Sequence, residues 1–454
     1  MTGKLTLSRR DFLKLTGAAA AMAGLPSGLA GAMPPLRRMQ STALRMEWWG
    51  EQEAPGLEAY LKKTIDAYQK QTGTSIETTL STTDNVISDF QTASAAKNAP
   101  DIQYFWNGIY HMESVWLGYV EPLNGLIPDD MLKSSNATAL SVYQSKQYRV
   151  GWYGQSILYV YNKDLFSKAG LNTETPPQTW DELLAACDKL KAKGIIPIVG
   201  GLKDGPWGEW YMGHGLTQNL DSPADALNLF AANLDWRDPK YWDHWAKLEQ
   251  LWKAGYLNND MNSIELYPGI DLFGAGKGAM TAVAAALVPK MQKSLGSDKV
   301  GLMVFPKFGK GKMAGKPIID TSGIGISSQS ANKKAAAQFL EYLLQPEQLA
   351  EMFNAVKILP ASTAWDGKAI SDPVTKQLHD QWINGGGNGV PYISNLMPTL
   401  FWTDAMFVNS QKIIDGQFTG EQAGNLAAEV AKKWRDQNPD LLEKYTIWAK
   451  ELNL

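Results

Sequence analysis

The stretch PPQTWDELLAACDKLKAKGIIPIV, residues 176–199, contains a complete helix-to-strand signal. Thr179 and Glu182 have the spacing of a capping box, in which each side chain accepts a hydrogen bond from a backbone amide at the helix start. Apolar residues at helical spacing follow, and Gly194 ends the helix: Leu183, Leu184, Cys187 and Leu190. The run IIPIV, residues 195–199, then predicts a strand.

The same alternation of helix and strand runs through the first hundred residues. Apolar residues from Leu57 to Tyr68 predict a helix that Gly73 stops. TSIETTL (74–80) and DIQYFW (101–106) predict strands, and a helix through Ile87 and Phe90 lies between them. Alternation of this kind is typical of α/β lobes with mostly parallel sheets. In such lobes ligands bind at the carboxyl ends of strands, where Trp49 and Trp106 are placed.

Composition excludes several classes of protein. The 454 residues carry 43 basic and 46 acidic side chains without a basic stripe, which argues against nucleic acid. No apolar segment approaches the ~18 residues of a membrane helix. The four histidines have no ligand spacing, so we expect neither a metal site nor a cofactor. The 17 tryptophans exceed what a core requires and suggest binding of flat apolar faces, which sugars have.

The first 33 residues have the order of an export signal. Arg9 and Arg10 precede an alanine-rich apolar run, and small residues follow in SGLAGAM (27–33). The paired arginines resemble the twin-arginine type, so residues 1–33 predict export to the periplasm. Cys187 is the single cysteine, which indicates a small buried side chain and no disulfide framework. With no cysteine near the cleavage region, we expect no lipid anchor.

Six motifs along the chain resemble one family in the same order. They are APDI (99–102), YNKDLFSKAG (161–170), PPQTWDEL (176–183), GKGAM (276–280), FLEYLLQPEQ (339–348) and QFTGEQA (417–423). The sequence resembles the extracellular solute-binding proteins of bacterial ABC sugar importers, the group that contains maltose-binding protein. The resemblance implies a monomer that closes on a mono- or oligosaccharide and delivers it to membrane permease subunits, without performing chemistry on it.

The fold implied by the resemblance is α/β, with two lobes, three crossing segments and a ligand cleft between the lobes. Placed by the six motifs, the crossings are expected near 153–156, 316–321 and 360–364. The first lobe would contain 34–153 and 321–360. The second lobe would contain 156–316 and 364–454.

The resemblance also implies ligand-binding residues on the first lobe. In LRMEWWGEQE (44–53), Trp49 is expected to face the sugar, with Trp48 as the alternative because one of the pair should be core. Glu51 or Glu53 would accept hydrogen bonds from hydroxyl groups. Trp106 and Asn107 match a position that lines the pocket. Asp84 is a further candidate, and its position also suits a helix N-cap.

The second lobe and the crossings supply the remaining candidates. Trp207 and Trp210 are three residues apart, and one of them is expected to be core. Trp402 in PTLFW (398–402) matches the segment that carries a stacking tryptophan. The crossings contribute three more candidates: Tyr153, Gln155 and Asp320. TAVAAALV (281–288) departs from the family, since it supplies alanines where an aromatic is common, and a relative's sugar preference therefore does not transfer.

Two alternatives from the residues remain open. An exported carbohydrate-active enzyme requires two carboxylates at a defined separation, for which several acids are available: Glu53, Asp84, Glu209 and Asp320. A polyamine or another non-sugar solute is the alternative within the binding class, because a cation is attracted to tryptophan faces and carboxylates. A sugar forms neutral hydrogen bonds, whereas an amine requires a net negative cleft.

Overall fold

The computed structural model describes residues 43–83, 85–135, 139–383 and 389–452. The export signal and Asp84 lie outside these residues. The strands in chain order are β1 (Ala43–Trp48), β2 (Ser75–Leu80), β3 (Ile102–Phe105), β4 (Val142–Tyr143), β5 (Lys146–Gln147), β6 (Val150–Gly154), β7 (Ile157–Asn162), β8 (Ile196–Ile198), β9 (Gly278–Ala284), β10 (Val300–Met303), β11 (Ile318–Ile319), β12 (Thr321–Ile326) and β13 (Val390–Pro391).

Helices surround these strands. They are α1 (Leu57–Thr72), α2 (Val86–Ala95), α3 (Ile109–Trp116), α4 (Asp129–Ser134), α5 (Lys163–Lys168), α6 (Trp180–Ala192), α7 (Pro206–Thr217), α8 (Pro223–Phe230), α9 (Pro239–Lys253), α10 (Leu266–Gly274), α11 (Val288–Leu295), α12 (Lys333–Leu343), α13 (Pro346–Val356), α14 (Pro373–Leu378), α15 (Thr399–Phe401), α16 (Val408–Ile414), α17 (Gly420–Gln437) and α18 (Pro439–Glu451). A π-helical turn, Trp402–Phe407, joins α15 to α16. Across the described ranges, no helix is both long and apolar enough to cross a membrane.

The local predictions from sequence are confirmed at several elements. Helix α1 ends where Gly73 adopts the left-handed conformation, with φ of 77°. The capping box of Thr179 and Glu182 is formed at the start of α6. Strands β2, β3 and β8 lie within their predicted segments, and Cys187 is a free, buried thiol.

Two main sheets carry the architecture. The first has the order β2-β1-β3-β12-β6, and the second has the order β10-β7-β9-β8. The chain passes from the first sheet to the second between Gly154 and Ile157, and it returns between Met303 and Thr321. The lobe bounds given above stay a prediction, because the two sheets show which strands pair with one another but not where each lobe begins and ends.

The prediction of mostly parallel sheets is wrong, because both sheets are mixed. Strand β1 is parallel to β2 and β3, and β8 is parallel to β9. Strand β12 is antiparallel to β3 and β6, and β7 is antiparallel to β9 and β10. Parallel neighbours require a long crossover on the same sheet. Strands β6, β7 and β12 instead adjoin the passages between the sheets, so their direction depends on where the chain enters from the other sheet.

Candidate functional site

Two tryptophans meet at one edge of the first sheet. Trp49 follows β1 and Trp106 follows β3, and the parallel pairing of these strands brings both carboxyl ends to the same edge. The ring centroids of Trp49 and Trp106 are 5.1 Å apart, and the rings pack edge to face. The Trp49 indole is buried and donates to Thr83 Oγ1 at 3.0 Å. Trp106 keeps part of its surface exposed.

This pair continues into a longer set of rings, which we name the aromatic row: Trp49, Trp106, Tyr110, Trp402 and Phe407. Ring centroids are 5.4 Å apart between Trp106 and Tyr110, 4.3 Å between Tyr110 and Trp402, and 6.4 Å between Trp402 and Phe407. The Trp402 indole donates to the Ser394 carbonyl at 2.9 Å. Trp402 and Phe407 are half-buried. The row thus offers partly open apolar faces from two distant parts of the chain.

A buried carboxyl, Glu53, lies beside the link between the two sheets. Its side chain is only 2% exposed. Gln155, in the link between β6 and β7, donates from Nε2 to Glu53 Oε2 at 2.8 Å. The Gln155 oxygen in turn accepts from the hydroxyls of Tyr104 and Ser322. Glu53 is therefore held by a side chain that belongs to the passage itself.

Asp320 occupies the second passage, next to β12. Its Oδ1 accepts from the Thr321 amide at 2.9 Å, and its Oδ2 accepts from Asn395 Nδ2 at 3.1 Å. Asn107 also forms a hydrogen bond with this carboxyl. The Asp320 amide donates to Ser156 Oγ at 3.0 Å. Asp320 thus connects the turn after β3, the first passage and the segment around residue 395.

Glu209 is a third buried carboxyl, and it lies on α7 rather than on an exposed helix face. It accepts a hydrogen bond from the Ser394 hydroxyl. The sequence names this residue only as one of several acids available to an enzyme. Its burial follows from the packing of α7, in which every residue from Trp207 to Thr217 is buried.

The three carboxyls lie in surroundings that favour their neutral form. The pKa of Glu53 is raised to about 8, mainly by burial; the Gln155 bond opposes this shift and the nearby Asp320 adds to it. Burial likewise raises the pKa of Glu209 to about 8 and that of Asp320 to about 6. Within the described residues, none of the three forms an ion pair with lysine or arginine. At neutral pH, Glu53 and Glu209 therefore carry protons and both donate and accept hydrogen bonds.

Arg149, whose charge lowers the pKa of Asp320, is committed to the framework. Its Nη1 donates to the carbonyls of Thr321 at 2.7 Å and Phe105 at 3.2 Å. Nη2 donates to Thr321 Oγ1 at 2.8 Å, and Nε donates to Ser141 Oγ at 3.1 Å. The guanidinium is fully buried. Arg149 therefore fastens β6, β3 and β12 together and leaves little donor capacity for a ligand.

Gly108, at the start of α3, permits a very close contact. A Cβ on this residue would lie 2.2 Å from the Asn395 carbonyl oxygen and 2.8 Å from the Asn395 Cβ. Its backbone has φ of 73° and ψ of −134°, a conformation that L side chains rarely adopt. The turn after β3 therefore touches the backbone of the 393–396 turn directly.

The predicted residues on the first sheet differ in their surroundings. Glu51 is not beside Gln155. Its two carboxylate oxygens accept from the amides of Gly56 and Glu58 at 2.7 Å each, at the start of α1. Trp48 and Trp49 are both buried, and Trp49 is the one in the aromatic row. Tyr153 is buried against Trp152.

Trp207 and Trp210 are both buried on α7. Trp207 has no exposed surface and stacks on Tyr211 at 5.7 Å with an interplanar angle of 13°. It packs within the second-sheet core, and Trp210 is 6% exposed. The ligand contacts proposed for all of these residues stay predictions.

Sequence reasoning missed three residues that the structure brings to this region: Tyr110, Asn395 and Phe407. Asn395 lies in a short 3₁₀ turn, Ile393–Leu396, and no spacing relates it to Asp320. Tyr110 and Phe407 are ordinary apolar positions in their helices, so only their three-dimensional neighbours reveal them. Over the described ranges, no three His, Cys, Asp or Glu side chains group as metal ligands.

The comparisons with known proteins agree with this architecture. The family model described as "Bacterial extracellular solute-binding protein" matches residues 51–350. The chain belongs to this family. A second model, for the twin-arginine translocation pathway signal sequence, matches residues 6–26, so this solute-binding protein is exported by that route, as predicted.

Curated relatives match part of their own length. The sn-glycerol-3-phosphate-binding periplasmic protein UgpB of Shigella flexneri is 31% identical over 64% of this chain and 66% of its own. UgpB of Salmonella typhimurium is 31% identical over 46% of this chain and 47% of its own. The chain thus spans about half to two thirds of the length of these relatives.

Solved structures show the same two-lobed fold. A chitin oligosaccharide binding protein superposes with a TM-score of 0.75 at 22% identity, covering 87% of this chain and 98% of that one. The GacH receptor of Streptomyces glaucescens, solved unliganded and with acarbose, has a TM-score of 0.70 at 16% identity over 87% and 98% of the two chains. The predicted α/β two-lobed binding-protein fold is confirmed.

Replacing Gly108 by alanine tests the close contact with Asn395. We expect Gly108→Ala to lower the free energy of unfolding by about 1–3 kcal/mol for the strained backbone, plus a further loss for the clash. Gly118→Ala is the matched control, because Gly118 has φ of 78° and open space around its Cβ position. Urea denaturation of both variants measures the difference. Equal losses of unfolding free energy in the two variants would mean that the 393–396 turn moves away from the new methyl group without loss of stability.

The raised pKa values predict a pH dependence of stability. The folded-state pKa of Glu53 and Glu209 is about 8, against 4.5 for the free group. Between pH 4.5 and pH 8, the folded protein therefore binds more protons than the unfolded chain does. The free energy of unfolding should therefore fall as pH rises through this window. His214 and His244, whose pKa burial lowers to about 3, act in the opposite sense but only below about pH 6.5.

The decisive range is thus pH 6.5–8, where the carboxyls act alone among these groups. Each carboxyl contributes up to about 2 kcal/mol of destabilisation across it, at ~1.4 kcal/mol per pH unit. Glu53→Gln should make the fall of the unfolding free energy with pH less steep. Glu58→Gln, at an exposed position, should leave this slope unchanged. An unaltered slope in Glu53→Gln, measured by urea denaturation at each pH, would contradict the assignment.

Proposed function

We propose that this protein is the periplasmic binding component of an ABC importer, and that it closes on a neutral mono- or oligosaccharide and delivers it to the permease. The observation that carries the proposal is the placement of half-buried Trp106 and Trp402 in one aromatic row. Trp49 of this row packs on Tyr104, whose hydroxyl donates to Gln155, the partner of Glu53. The likeness to solute-binding proteins supports the transport role, and we expect a monomer that performs no chemistry on its ligand.

The chemistry of these groups suits a sugar. A pyranose presents apolar C–H faces, which indole rings cover with loss of water from both surfaces. Its hydroxyls both donate and accept hydrogen bonds. A protonated Glu53 and the carboxyl of Asp320 can meet such hydroxyls in either sense.

A phosphate ester is the second candidate, because the named ligand of the UgpB relatives is sn-glycerol-3-phosphate. A phosphate dianion is bound by cations or by several backbone amides. Here Arg149 is committed to the framework, and Asp320, whose pKa of about 6 leaves it ionised at neutral pH, would be an unfavourable neighbour of the anion. These two features favour a neutral ligand.

A polyamine is the third candidate. It would require Glu53 and Glu209 to release their protons, at a cost set by their raised pKa values. An exported enzyme is disfavoured because the curated relatives are binding proteins. The same carboxyls supply hydrogen bonds to a neutral sugar without that cost.

The lobe division predicted from sequence completes the proposal. With a first lobe of 34–153 and 321–360 and a second of 156–316 and 364–454, Trp106 and Trp402 belong to opposite lobes. The contact between Tyr110 and Trp402, with ring centroids 4.3 Å apart, would then join the two walls of the cleft. Gln155 and Asp320 would lie at the crossings, where lobe closure is controlled.

A thermal-shift screen of the mature protein tests the ligand class. The panel contains mono- and oligosaccharides, sn-glycerol-3-phosphate and spermidine. A sugar at 100 times its dissociation constant adds about 2.7 kcal/mol of stability, a readable shift for a chain of this size. Stabilisation by glycerol phosphate or spermidine alone would overturn the sugar proposal while leaving the family assignment intact.

Trp402→Ala tests the stacking wall. If Trp402 covers a sugar face, about 100 Å² of apolar surface at ~25 cal/mol per Å² corresponds to about 2.5 kcal/mol, or roughly 50- to 100-fold in affinity. Titration calorimetry with the sugar from the screen measures this loss. Trp207→Ala is the matched control for loss of folding stability. Truncating this core tryptophan should cost about 3–5 kcal/mol of folding stability, and Trp402→Ala should cost less. Intact affinity in Trp402→Ala would remove this residue from the site.

A further inference from the structure

A pocket of about 280 Å³ lies between the loop after α8 and helix α17. Its apolar lining includes Leu229, Leu234 and Trp236. Its polar lining consists of three cations, one acid and one amide: Arg237, Lys432, Arg435, Asp235 and Asn233. None of these residues belongs to the aromatic row or to the three buried carboxyls. The pocket therefore requires an explanation separate from the proposed sugar site.

The cations at this pocket are unequally neutralised. Arg237 lies 3.6 Å from Asp235, and Lys432 pairs with Asp436 on the same helix. Arg435 is half-buried, and within the described residues it forms no ion pair with a carboxylate. Its Nη1 donates to the Phe230 carbonyl at 2.7 Å, which leaves other N–H groups for a further acceptor. Burial lowers the pKa of Arg435, and Asp436 only partly opposes this effect.

The floor of the pocket is fixed by its packing. Trp236 is 2% exposed, with its ring centroid 5.0 Å from that of Phe401 and 6.2 Å from that of Trp245. The loop itself is held by the Trp242 indole, which donates to the Arg237 carbonyl at 3.1 Å. A pocket formed before binding loses less entropy when a ligand enters.

The combination of an apolar wall and a basic rim selects a chemical class. A half-buried cation without a carboxylate partner gains by contact with an anion, since charge-assisted hydrogen bonds are about twice as strong as neutral ones. An inorganic anion would leave the half-buried Leu234 and the exposed Ala232 of the lining in contact with water. A small organic carboxylate satisfies both sides at once.

We infer that this pocket is a second ligand site, for a small organic anion whose carboxylate contacts Arg435 and Lys432 and whose apolar part packs on Leu234 and Ala232. Binding there is reversible and involves no bond formation. The site is independent of the ligand class proposed for the cleft.

The test compares benzoate with benzamide, which has the same shape but no charge, in ligand-observed NMR titrations of the mature protein. We expect benzoate to bind and benzamide to bind at least tenfold more weakly. Arg435→Gln should reduce benzoate affinity at least tenfold. The matched control is Lys433→Gln, because Lys433 adjoins Lys432 in α17 but pairs with Asp404 at 3.0 Å and does not line the pocket.

Lys432→Gln provides a second variant, because this side chain is exposed and its removal should leave the fold intact. It should weaken benzoate binding as Arg435→Gln does. Three results would overturn the inference: absence of benzoate binding, equal binding of benzoate and benzamide, or benzoate binding that both pocket variants leave unchanged.

Discussion

The hydrogen bonds of Asp320 are the constraint on which the arrangement of the site depends. This residue lies where the chain returns from the second sheet to the first, and it contacts Ser156 in the other passage. Asn395 Nδ2 donates to its carboxyl at 3.1 Å, and Asn107 joins from the turn after β3. Through its backbone amide and its carboxyl, this one buried residue ties both passages to the two turns that approach each other at Gly108. A change in the relative position of the sheets must alter these bonds.

Polar groups of this kind are costly inside a protein unless they are satisfied. Glu53 and Glu209 meet this requirement by remaining protonated and by accepting from Gln155 and Ser394 respectively. Arg149 meets it differently, by donating to backbone carbonyls of β3 and β12. The carboxyls therefore retain hydrogen-bonding capacity for hydroxyl groups, whereas the cation does not. This asymmetry favours a neutral ligand over a phosphate.

Much of the fold follows from local sequence signals, whereas the convergence of the site does not. The capping box of Thr179 and Glu182 and the stop at Gly73 depend on neighbouring residues, so the sequence predicts them. Strand direction depends on how the chain passes between the sheets, and the periodicity of apolar residues in the sequence does not indicate it. Helix α7 is buried on every side, so it has no polar face and no pattern that separates Trp207 from Trp210. Asn395 is recognisable only through its partners, Asp320 and Gly108.

The measurement that tests the central claim most directly is small-angle X-ray scattering of the mature protein with and without the sugar that stabilises it. If two lobes close on the ligand, the radius of gyration should fall on addition of that sugar, and the sugar should be recovered intact from the sample. An unchanged radius at saturating sugar, or a cleaved sugar product, would contradict the account of a binding protein that closes without chemistry.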